Sequence, residues 1–535
     1  MSNPGFERNG FRRIALANAT LVRFACIFLC VAAFCVATAV ATHAQSTYLK
    51  TLANFDGKDG GRPNGALVQG FDGNYYGVTG GGTSSNCSIG GGCGTVFRLT
   101  SQGDSQGKLT TIYNFCSQAD CADGASPSAG LTLGTNGNLY GTTSSGGTEK
   151  EGTVFEITPG GKLTTLYSFC QIKSNHICVD GQTPVGVIEG SNGNLYGVTE
   201  FGGTNNNGDF PCFGCGTFYQ LTPAGTLTTL HDFCAVQNDS GNCVDGIYPA
   251  TPLVEASNGR FYGVTGYGGE YGLGNVFEVD PSGALETVYS FCSEDHCPDG
   301  DQPAAGLSQT SNGQLAGTTY SGGAYDVGTV FEITTGGALT TLYNFCPVMN
   351  SNFSCDDGEY PTTGVVQQAD GMLLGTSGNG GPYSEGTAYQ LTESGTLTVL
   401  YSFCANGTNC VDGEFPDGLL AATNGFIYGA TFRGGEDISG CGNGCGTLFG
   451  MLPISGGTPF VEAVPNSGEV GRTVNILGPG LTGSTAVTFN GTAAEFTVVS
   501  DVRITATVPS GATTGPIVVT TPSFSWSSNL AFQVK

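Results

Sequence analysis

Seven times along 535 residues the chain repeats one four-phrase unit, and this repetition constrains its fold more than any other feature. The unit is clearest from Pro127 to Phe169. It reads Ala129-Gly130-Leu131-Thr132-Leu133, then Leu139-Tyr140-Gly141-Thr142-Thr143, then Gly152 through Ile157, then Leu163 through Phe169. Each phrase has the length and the β-branched and aromatic content of a strand. Asx-Gly separates the first two phrases in every copy, at Asp72-Gly73, Asn136-Gly137, Asn192-Gly193, Asn258-Gly259, Asn312-Gly313, Asp370-Gly371 and Asn424-Gly425. Both residues tolerate positive φ, which predicts a primed two-residue hairpin turn. Short turns such as Pro159-Gly160-Gly161 join the last two phrases, so each copy predicts a four-stranded antiparallel meander. The glycine closing the second phrase counts the copies: Gly77, Gly141, Gly197, Gly263, Gly317, Gly375 and Gly429, spaced 54 to 66 residues apart.

A lone four-stranded sheet has two faces it cannot bury, so the copies predict a seven-bladed β-propeller in which blade packs on blade. The ends of the array point the same way. The last copy stops after its third phrase, Gly446-Thr447-Leu448-Phe449, while Leu49 through Phe55 is a fourth phrase with no blade before it. An early strand that completes the last sheet closes the ring and removes an exposed edge. Both the fourth-to-first and the second-to-third connections vary in length, and in an up-down meander they emerge on one face. Repeat proteins commonly bind there.

Those connections hold the cysteines. The chain has 21, of which Cys26, Cys30 and Cys35 fall in a segment that reads as a signal peptide over residues 1–44: arginines 8, 12, 13 and 23 precede an apolar run from Phe24 to Ala41. The remaining 18 fall into close pairs. These are Cys87 with Cys93, Cys116 with Cys121, Cys170 with Cys178, Cys212 with Cys215, Cys234 with Cys243, Cys292 with Cys297, Cys346 with Cys355, Cys404 with Cys410, and Cys441 with Cys445. Zinc needs about four converging ligands, and each pair stands alone in the sequence with at most one histidine near it. Disulfides in an exported protein, secreted or in the cell envelope, are the expectation. Each closes a loop too short to contribute more than about 2 kcal/mol. A membrane association is expected only if the N-terminal segment stays uncleaved.

The phrases Leu-Tyr-Gly-Thr-Thr, Gly-Thr-Val-Phe-Glu-Ile-Thr and Leu-Thr-Thr-Leu-Tyr-Ser-Phe resemble the bacterial GloVer (Gloeobacter/Verrucomicrobia-type) tandem repeat, over about residues 45–457. The resemblance implies exported, surface-associated proteins with varied C-terminal modules and no assigned catalytic residues. Residues 458–535 lose both cysteine and repeat. Val464-Pro465-Asn466-Ser467-Gly468, Val474 to Gly478, Val487 to Gly491, Ile504 to Pro509 and Gly515 to Val519 resemble an IPT/TIG immunoglobulin-like β-sandwich. Alternating strands with frequent turn signals support that reading independently. Such modules act as spacers or adhesion units.

Without residues 1–44 the 17 basic and 43 acidic residues fall by four and one, leaving a net charge of −29. A surface so acidic excludes nucleic acid as a partner. The sharpest recurring polar feature is Asp-Gly-x-x-Pro, at Asp59, Asp123, Asp180, Asp245, Asp299, Asp357 and Asp412. Seven carboxylates on one face are candidates for a ligand-facing ring, and calcium is the ion they would suit. The alternative is that each Asp caps its own turn while Gly permits the bend and Pro starts the strand. The tyrosines of the second phrase, Tyr76, Tyr140, Tyr196, Tyr262 and Tyr428, offer either sugar platforms or inter-blade packing, with packing the better fit. His176, His231 and His296 sit in no catalytic or metal motif, and no nucleophile elbow or phosphate loop is present. No catalytic residue and no metal ligand is predicted. An interaction or adhesion protein for a protein or polysaccharide ligand is the expectation, with a lectin or polysaccharide-acting propeller enzyme as the alternative.

Overall fold

The computed structural model describes residues 49–82, 92–100, 107–174, 176–205, 214–303, 305–350, 354–405, 407, 409–436, 441 and 444–535, with the backbone of 42–43. The expected signal segment thus lies outside the described residues, apart from Thr42–His43. The fold is all-β: a propeller followed by an immunoglobulin-like domain. The single helical turn among the described residues is a 3-10 turn at Ala119–Cys121.

Seven antiparallel sheets make up the repeat region. The first runs Gly61–Gln69, Tyr75–Gly81, Thr95–Thr100 and Lys108–Asn114, and the others repeat that order. The last is Glu414–Ala421, Ile427–Arg433 and Thr447–Met451, completed by Leu49–Asn54. That early strand pairs antiparallel with Thr447–Met451, from Leu49 opposite Met451 to Asn54 opposite Thr447. Middle strands are buried on both faces, as in Thr153–Ile157, because each sheet is covered from two sides; outer strands such as Leu163–Ser168 are mostly half-exposed.

What joins one sheet to the next is the same at each junction. The phenylalanine ending the fourth phrase meets the aromatic of the next sheet's third phrase edge-on. The pairs are Phe115 with Phe155, Phe169 with Tyr219, Phe233 with Phe277, Phe291 with Phe331, Phe345 with Tyr389 and Phe403 with Phe449, at 5.2 to 5.4 Å between centroids. Phe55 with Phe97, at 5.2 Å, carries the pattern from the last sheet back to the first. Such pairs add roughly 0.5–1.5 kcal/mol beyond their buried area.

A second set of contacts follows the end of the first strand. Glu189 accepts hydrogen bonds from the Thr135 N–H and hydroxyl of the preceding sheet, and Glu255 does so from Ser191. Gln309 reaches Ser257, Gln367 reaches the Ser311 N–H, and Gln69 accepts from Thr423 across the closing junction. In the two remaining junctions both partners change together. Leu133 packs with Phe71, and Ala421 stands where Ala369 offers no hydroxyl. A buried donor or acceptor left without its partner is costly, so loss of one member favours loss of the other.

The hairpins differ from the expected turn. Only the glycine is left-handed, for example Gly73 at φ 79° and Gly137 at φ 83°, while the preceding Asx is not among the positive-φ residues. The loop closes with Gly70 N–H to Asn74 O and Gly73 N–H to Gly70 O. This is a type I turn followed by a left-handed glycine. Asx acts through its side chain instead: Asp72 Oδ1 accepts the Asn74 N–H at 3.1 Å and Asn136 Oδ1 the Asn138 N–H at 2.9 Å, with the same bond in each other copy.

The immunoglobulin-like domain stacks Glu462–Val464, Thr473–Leu477, Arg503–Thr507 and Phe496–Ser500 on a second sheet of Thr492–Ala493, Ala486–Phe489, Ile517–Thr520 and Ser525–Ser527. Val474, Ile476, Val487, Phe489, Ile504 and Val519 fill the core between them.

Candidate functional site

Both long connection classes share one end of the propeller, tied to each other by backbone. Gly147, Gly203, Gly269, Gly323, Gly381 and Gly435 each donate an N–H to the carbonyl of a cysteine in the adjoining loop, at 2.8 to 2.9 Å. Among the described residues seven disulfides form there: Cys116–Cys121, Cys170–Cys178, Cys234–Cys243, Cys292–Cys297, Cys346–Cys355, Cys404–Cys410 and Cys441–Cys445. Cys93 is disulfide-bonded and Cys215 is buried, but their expected partners Cys87 and Cys212 lie outside the described residues.

The repeated aspartates also lie at this end. Asp123, Asp180, Asp245, Asp357 and Asp412 are buried and Asp299 nearly so. Each accepts a tyrosine hydroxyl from the fourth phrase: Asp123 from Tyr113, Asp180 from Tyr167, Asp299 from Tyr289, Asp357 from Tyr343 and Asp412 from Tyr401, at 2.7 to 2.8 Å. In the Asp245 copy His231 replaces tyrosine, with Nε2 3.0 Å from Oδ2. A backbone N–H at or just after the first cysteine of the loop is the second donor, such as Ser117 to Asp123 and Ala405 to Asp412 at 3.0 Å. Burial first, and the carboxylate after it, push the Tyr113 phenol up to about 12, so it stays a donor. Among the described residues no three carboxylates approach closely enough to share an ion.

The rest of the Asp-Gly-x-x-Pro motif belongs to the junctions. The residue before Pro is left-handed in all copies, from Arg62 at φ 57° to Phe415 at φ 53°. That twist aims its N–H at the preceding sheet: Arg62 to Cys445 O, Ser126 to Cys93 O, Thr183 to Glu151 O, Tyr248 to Cys215 O, Gln302 to Leu273 O, Tyr360 to Val327 O and Phe415 to Glu385 O, at 2.8 to 3.1 Å. The motif is therefore a staple between blades, and the first strand begins within it rather than after Pro, as Gly61–Gln69 shows. The second-phrase tyrosines Tyr76, Tyr140, Tyr196, Tyr262 and Tyr428 are all buried, which leaves them to packing.

Asp59 stands apart. Its loop has Ala53 in place of tyrosine and no cysteine pair, and its Oδ1 accepts the Asp56 N–H at 2.9 Å. Burial raises the Asp59 carboxyl to about 6, despite that N–H. Because the folded state holds this proton more tightly than the unfolded chain, the group favours folding at low pH. That contribution is lost as pH rises from the ordinary 3.8 through about 6. Asp59→Asn keeps the acceptor and removes the titration. The melting temperature of the variant relative to wild type is expected to rise between about pH 4 and pH 7; an offset constant across that range would contradict this.

The hairpin end is covered. Arg472 Nη1 donates to Ser191 O at 2.6 Å, Asn475 Nδ2 to Thr135 O at 3.2 Å and Phe460 N–H to Thr423 O at 2.9 Å. Lys535 pairs with Glu255 at 3.2 Å, and the Arg503 guanidinium lies 4.4 Å from the Phe71 ring centroid. Leu477 of the immunoglobulin-like domain is buried with Val68, Leu131 and Leu133 of the propeller. Between the two domains lies a cavity of about 420 Å³. It shares wall residues with the central channel, about 410 Å³, which the first strands of all seven sheets line, from Gly65 to Gly418. The channel is thus capped at one end and opens on the disulfide end.

The disulfide end is where apolar side chains meet solvent. Of the eleven exposed large hydrophobic residues among the described residues, eight lie on it: Ile172, Val236, Val348, Met349, Tyr267, Tyr271, Tyr325 and Tyr383. Around the mouth Phe201, Tyr248 and Tyr267 form edge-on contacts, and Tyr320 stacks on Tyr360 at 5.1 Å. Exposed apolar clusters rimmed by polar groups mark interaction surfaces. Glu385, beside Glu414, is held up to about 7 by burial first and its neighbour second. Sequence reasoning singled out this face by its long connections but missed the exposed apolar residues on it. Their signal was an apolar residue two places after Cys170, Cys234 and Cys346, where a solvated loop has no need of one.

Comparison with known proteins agrees with this architecture. The Gloeobacter/Verrucomicrobia repeat matches residues 38–210, 170–352 and 212–449, and the IPT/TIG domain matches 459–534. No curated protein matches. Solved structures similar to the chain include a provisionally assigned gluconolactonase, 13% identical, covering 68% of this chain and 97% of its own, with a TM-score of 0.33. A provisionally assigned 6-phosphogluconolactonase from Bacteroides uniformis is 16% identical over 63% of this chain and 85% of its own, TM-score 0.38. The PQQ-bound aldose sugar dehydrogenase of Streptomyces coelicolor is 12% identical over 60% and 92%, TM-score 0.32.

Proposed function

Since the chain belongs to the Gloeobacter/Verrucomicrobia repeat family and carries a C-terminal IPT/TIG domain, we propose that it is an exported adhesion protein that engages its ligand through the disulfide-braced end of the propeller. The observation that carries this is the asymmetry of the two ends. One is covered by the immunoglobulin-like domain, while the other holds eight of the eleven exposed large hydrophobic residues among the described residues, four of them (Ile172, Val236, Val348 and Met349) on loops closed by disulfides. Pinning lowers the entropy lost when such loops are immobilised on a partner. The disulfides themselves favour an oxidising compartment.

A hydrolytic reading draws on the raised Glu385, but after burial that shift comes from the Glu414 carboxyl beside it. Glycoside hydrolysis sets its two carboxyls about 5–9.5 Å apart, which disfavours this pair.

The test is attachment of the purified, oxidised protein to cell-envelope preparations. Replacing Tyr271, Tyr325 and Tyr383 together by alanine is expected to lower attachment at least tenfold with the melting temperature unchanged, since all three are exposed. Undiminished attachment would overturn the exposed aromatic surface of this end as the means of attachment.

A further inference from the structure

Where seven copies share a residue, architecture explains it; where one copy alone departs, a local task is the better explanation. Two such departures meet in the last sheet. The residue after the motif proline is Asn64, Ser128, Val185, Ala250, Ala304 or Thr362 in the earlier sheets, and Asp417 in the last. The residue four places after the second-phrase glycine is Gly81, Ser145, Phe201, Tyr267, Ser321 or Asn379 in the earlier sheets, and Arg433 in the last. Both new charges line one hollow of about 450 Å³ at the channel mouth, together with Phe415, Phe432, Asn64 and Asn379.

The hollow is arranged rather than merely open. The Arg433 guanidinium lies 5.5 Å from the Phe415 centroid and 5.8 Å from that of Phe432, so two rings flank it, and Arg62 lies 5.9 Å from the same Phe432 ring. Among the described residues it makes no hydrogen bond or ion pair, and its five donors are left for something else. Asp417 Oδ2 accepts the Gly65 N–H at 3.0 Å; its Oδ1 has no protein donor among the described residues. The Asn379 side-chain amide is likewise unused, and Asn64 spends only an N–H, on Pro127 O at 3.3 Å.

This set determines the chemistry of a ligand. An anion would ask for donors only, and a cation for acceptors only. Here a fixed donor fork, a carboxylate and two amides converge beside aromatic rings, a mixture that suits hydroxyl groups, each both donor and acceptor. The surroundings disfavour a polyanion, because Glu359, Glu385 and Glu414 lie at the same end of the last two sheets and the whole chain carries −26. The volume lies low in the roughly 300–1,000 Å³ range of small-molecule sites, which fits one or two sugar rings. Behind it the channel leads to the cavity between the propeller and the immunoglobulin-like domain, which sits over the hairpin end.

We propose that this hollow binds the terminal residue of a neutral polysaccharide, with Arg433 and Asp417 sharing its hydroxyls. The proposal rests on the reading that the disulfide end is the ligand-binding end, and adds the ligand class. Calorimetric titration of the oxidised protein with neutral tetrasaccharides (gluco-, manno- and xylo-oligomers) and with uronic-acid oligomers tests it. At least one neutral oligomer is expected to bind. Arg433→Met and Asp417→Asn should each weaken it tenfold or more, while Asp417→Asn keeps the Gly65 acceptor and the melting temperature. Binding of uronic-acid oligomers alone, binding of no oligomer, or neutral binding within twofold of wild type in both variants overturns the proposal. Envelope attachment that is lost in the tyrosine triple variant but kept in Arg433→Met and Asp417→Asn, with no oligomer bound, overturns the ligand class and leaves the disulfide end standing. Oligomer binding lost in Arg433→Met, with attachment unaffected by the tyrosine triple variant, supports the hollow and overturns the wider adhesion surface.

Discussion

Phe55→Ala should lower the stability of the whole propeller by about 3–5 kcal/mol, the cost of emptying a fully buried phenylalanine site. The residue lies near the start of the chain, where truncation is ordinarily tolerated. Yet it is 1% exposed and packs edge-on against Phe97, as Phe345 does against Tyr389 deep in the array. Urea unfolding of Phe55→Ala and Phe345→Ala should therefore give equal losses within error. Deleting residues 45–55 should do more, because it also strips the hydrogen-bonding partner from Thr447–Met451 and leaves a buried-type strand as a free edge. That protein is expected to self-associate, read as a shift to dimers or larger species in analytical ultracentrifugation. A loss below about 1 kcal/mol for Phe55→Ala beside a full loss for Phe345→Ala would mean that the two ends of the array are not joined as described.

Much of this architecture was legible because it is local. Strand phrases, Asx-Gly hairpins and the offset between the first and last copies are all readable within a few residues, and the pairing of Leu49–Asn54 with Thr447–Met451 follows from the offset. The turn type was not. Asx-Gly is compatible with a primed turn, but the loop has one residue more, and Asn136 uses its side chain on Asn138 rather than a left-handed backbone. Periodicity cannot separate the two, since both end in glycine with positive φ.

Contacts between blades were invisible for a different reason. Glu189 and Thr135 stand 54 residues apart, and nothing near either announces the other. Only the paired exceptions, Leu133 with Phe71 and Ala421 with Ala369, reveal in hindsight that the two positions answer each other. The Asp-Gly-x-x-Pro aspartates invited a ring of ligands because recurrence on one face is easy to see. Their tyrosine partners sit 10 to 14 residues upstream, in the previous blade's last strand. Arg433 and Asp417 carried the opposite signal: each is ordinary alone, and each matters because six sibling positions differ.

The motif glycine supplies the sharpest energetic contrast in the chain. Gly300→Ala places a Cβ 2.2 Å from Thr319 Oγ1 and 2.7 Å from its Cγ2, at a φ of +96°. Thr319 cannot yield, because its hydroxyl bonds the Ser321 carbonyl, meets the Thr329 hydroxyl at 2.9 Å and accepts the Thr329 N–H. Gly193 has φ +81°, also unfavourable to alanine, but nothing lies within 4 Å of a new Cβ there. Backbone strain alone costs about 1–2 kcal/mol in either case. Overpacking adds about 1–3 kcal/mol at Gly300 only. Gly300→Ala is therefore expected to lose about 2–5 kcal/mol, and Gly193→Ala about 1–2, in the same urea titration. Thr319→Ala removes the two nearest of the three clashing atoms and leaves its Cβ at 2.8 Å, so the double variant should be more stable than the sum of its single losses predicts, a coupling of about 1–2 kcal/mol. Equal losses for the two glycines, or strictly additive losses in the cycle, would show that the motif glycine answers to turn geometry and not to the buried threonine pair behind it.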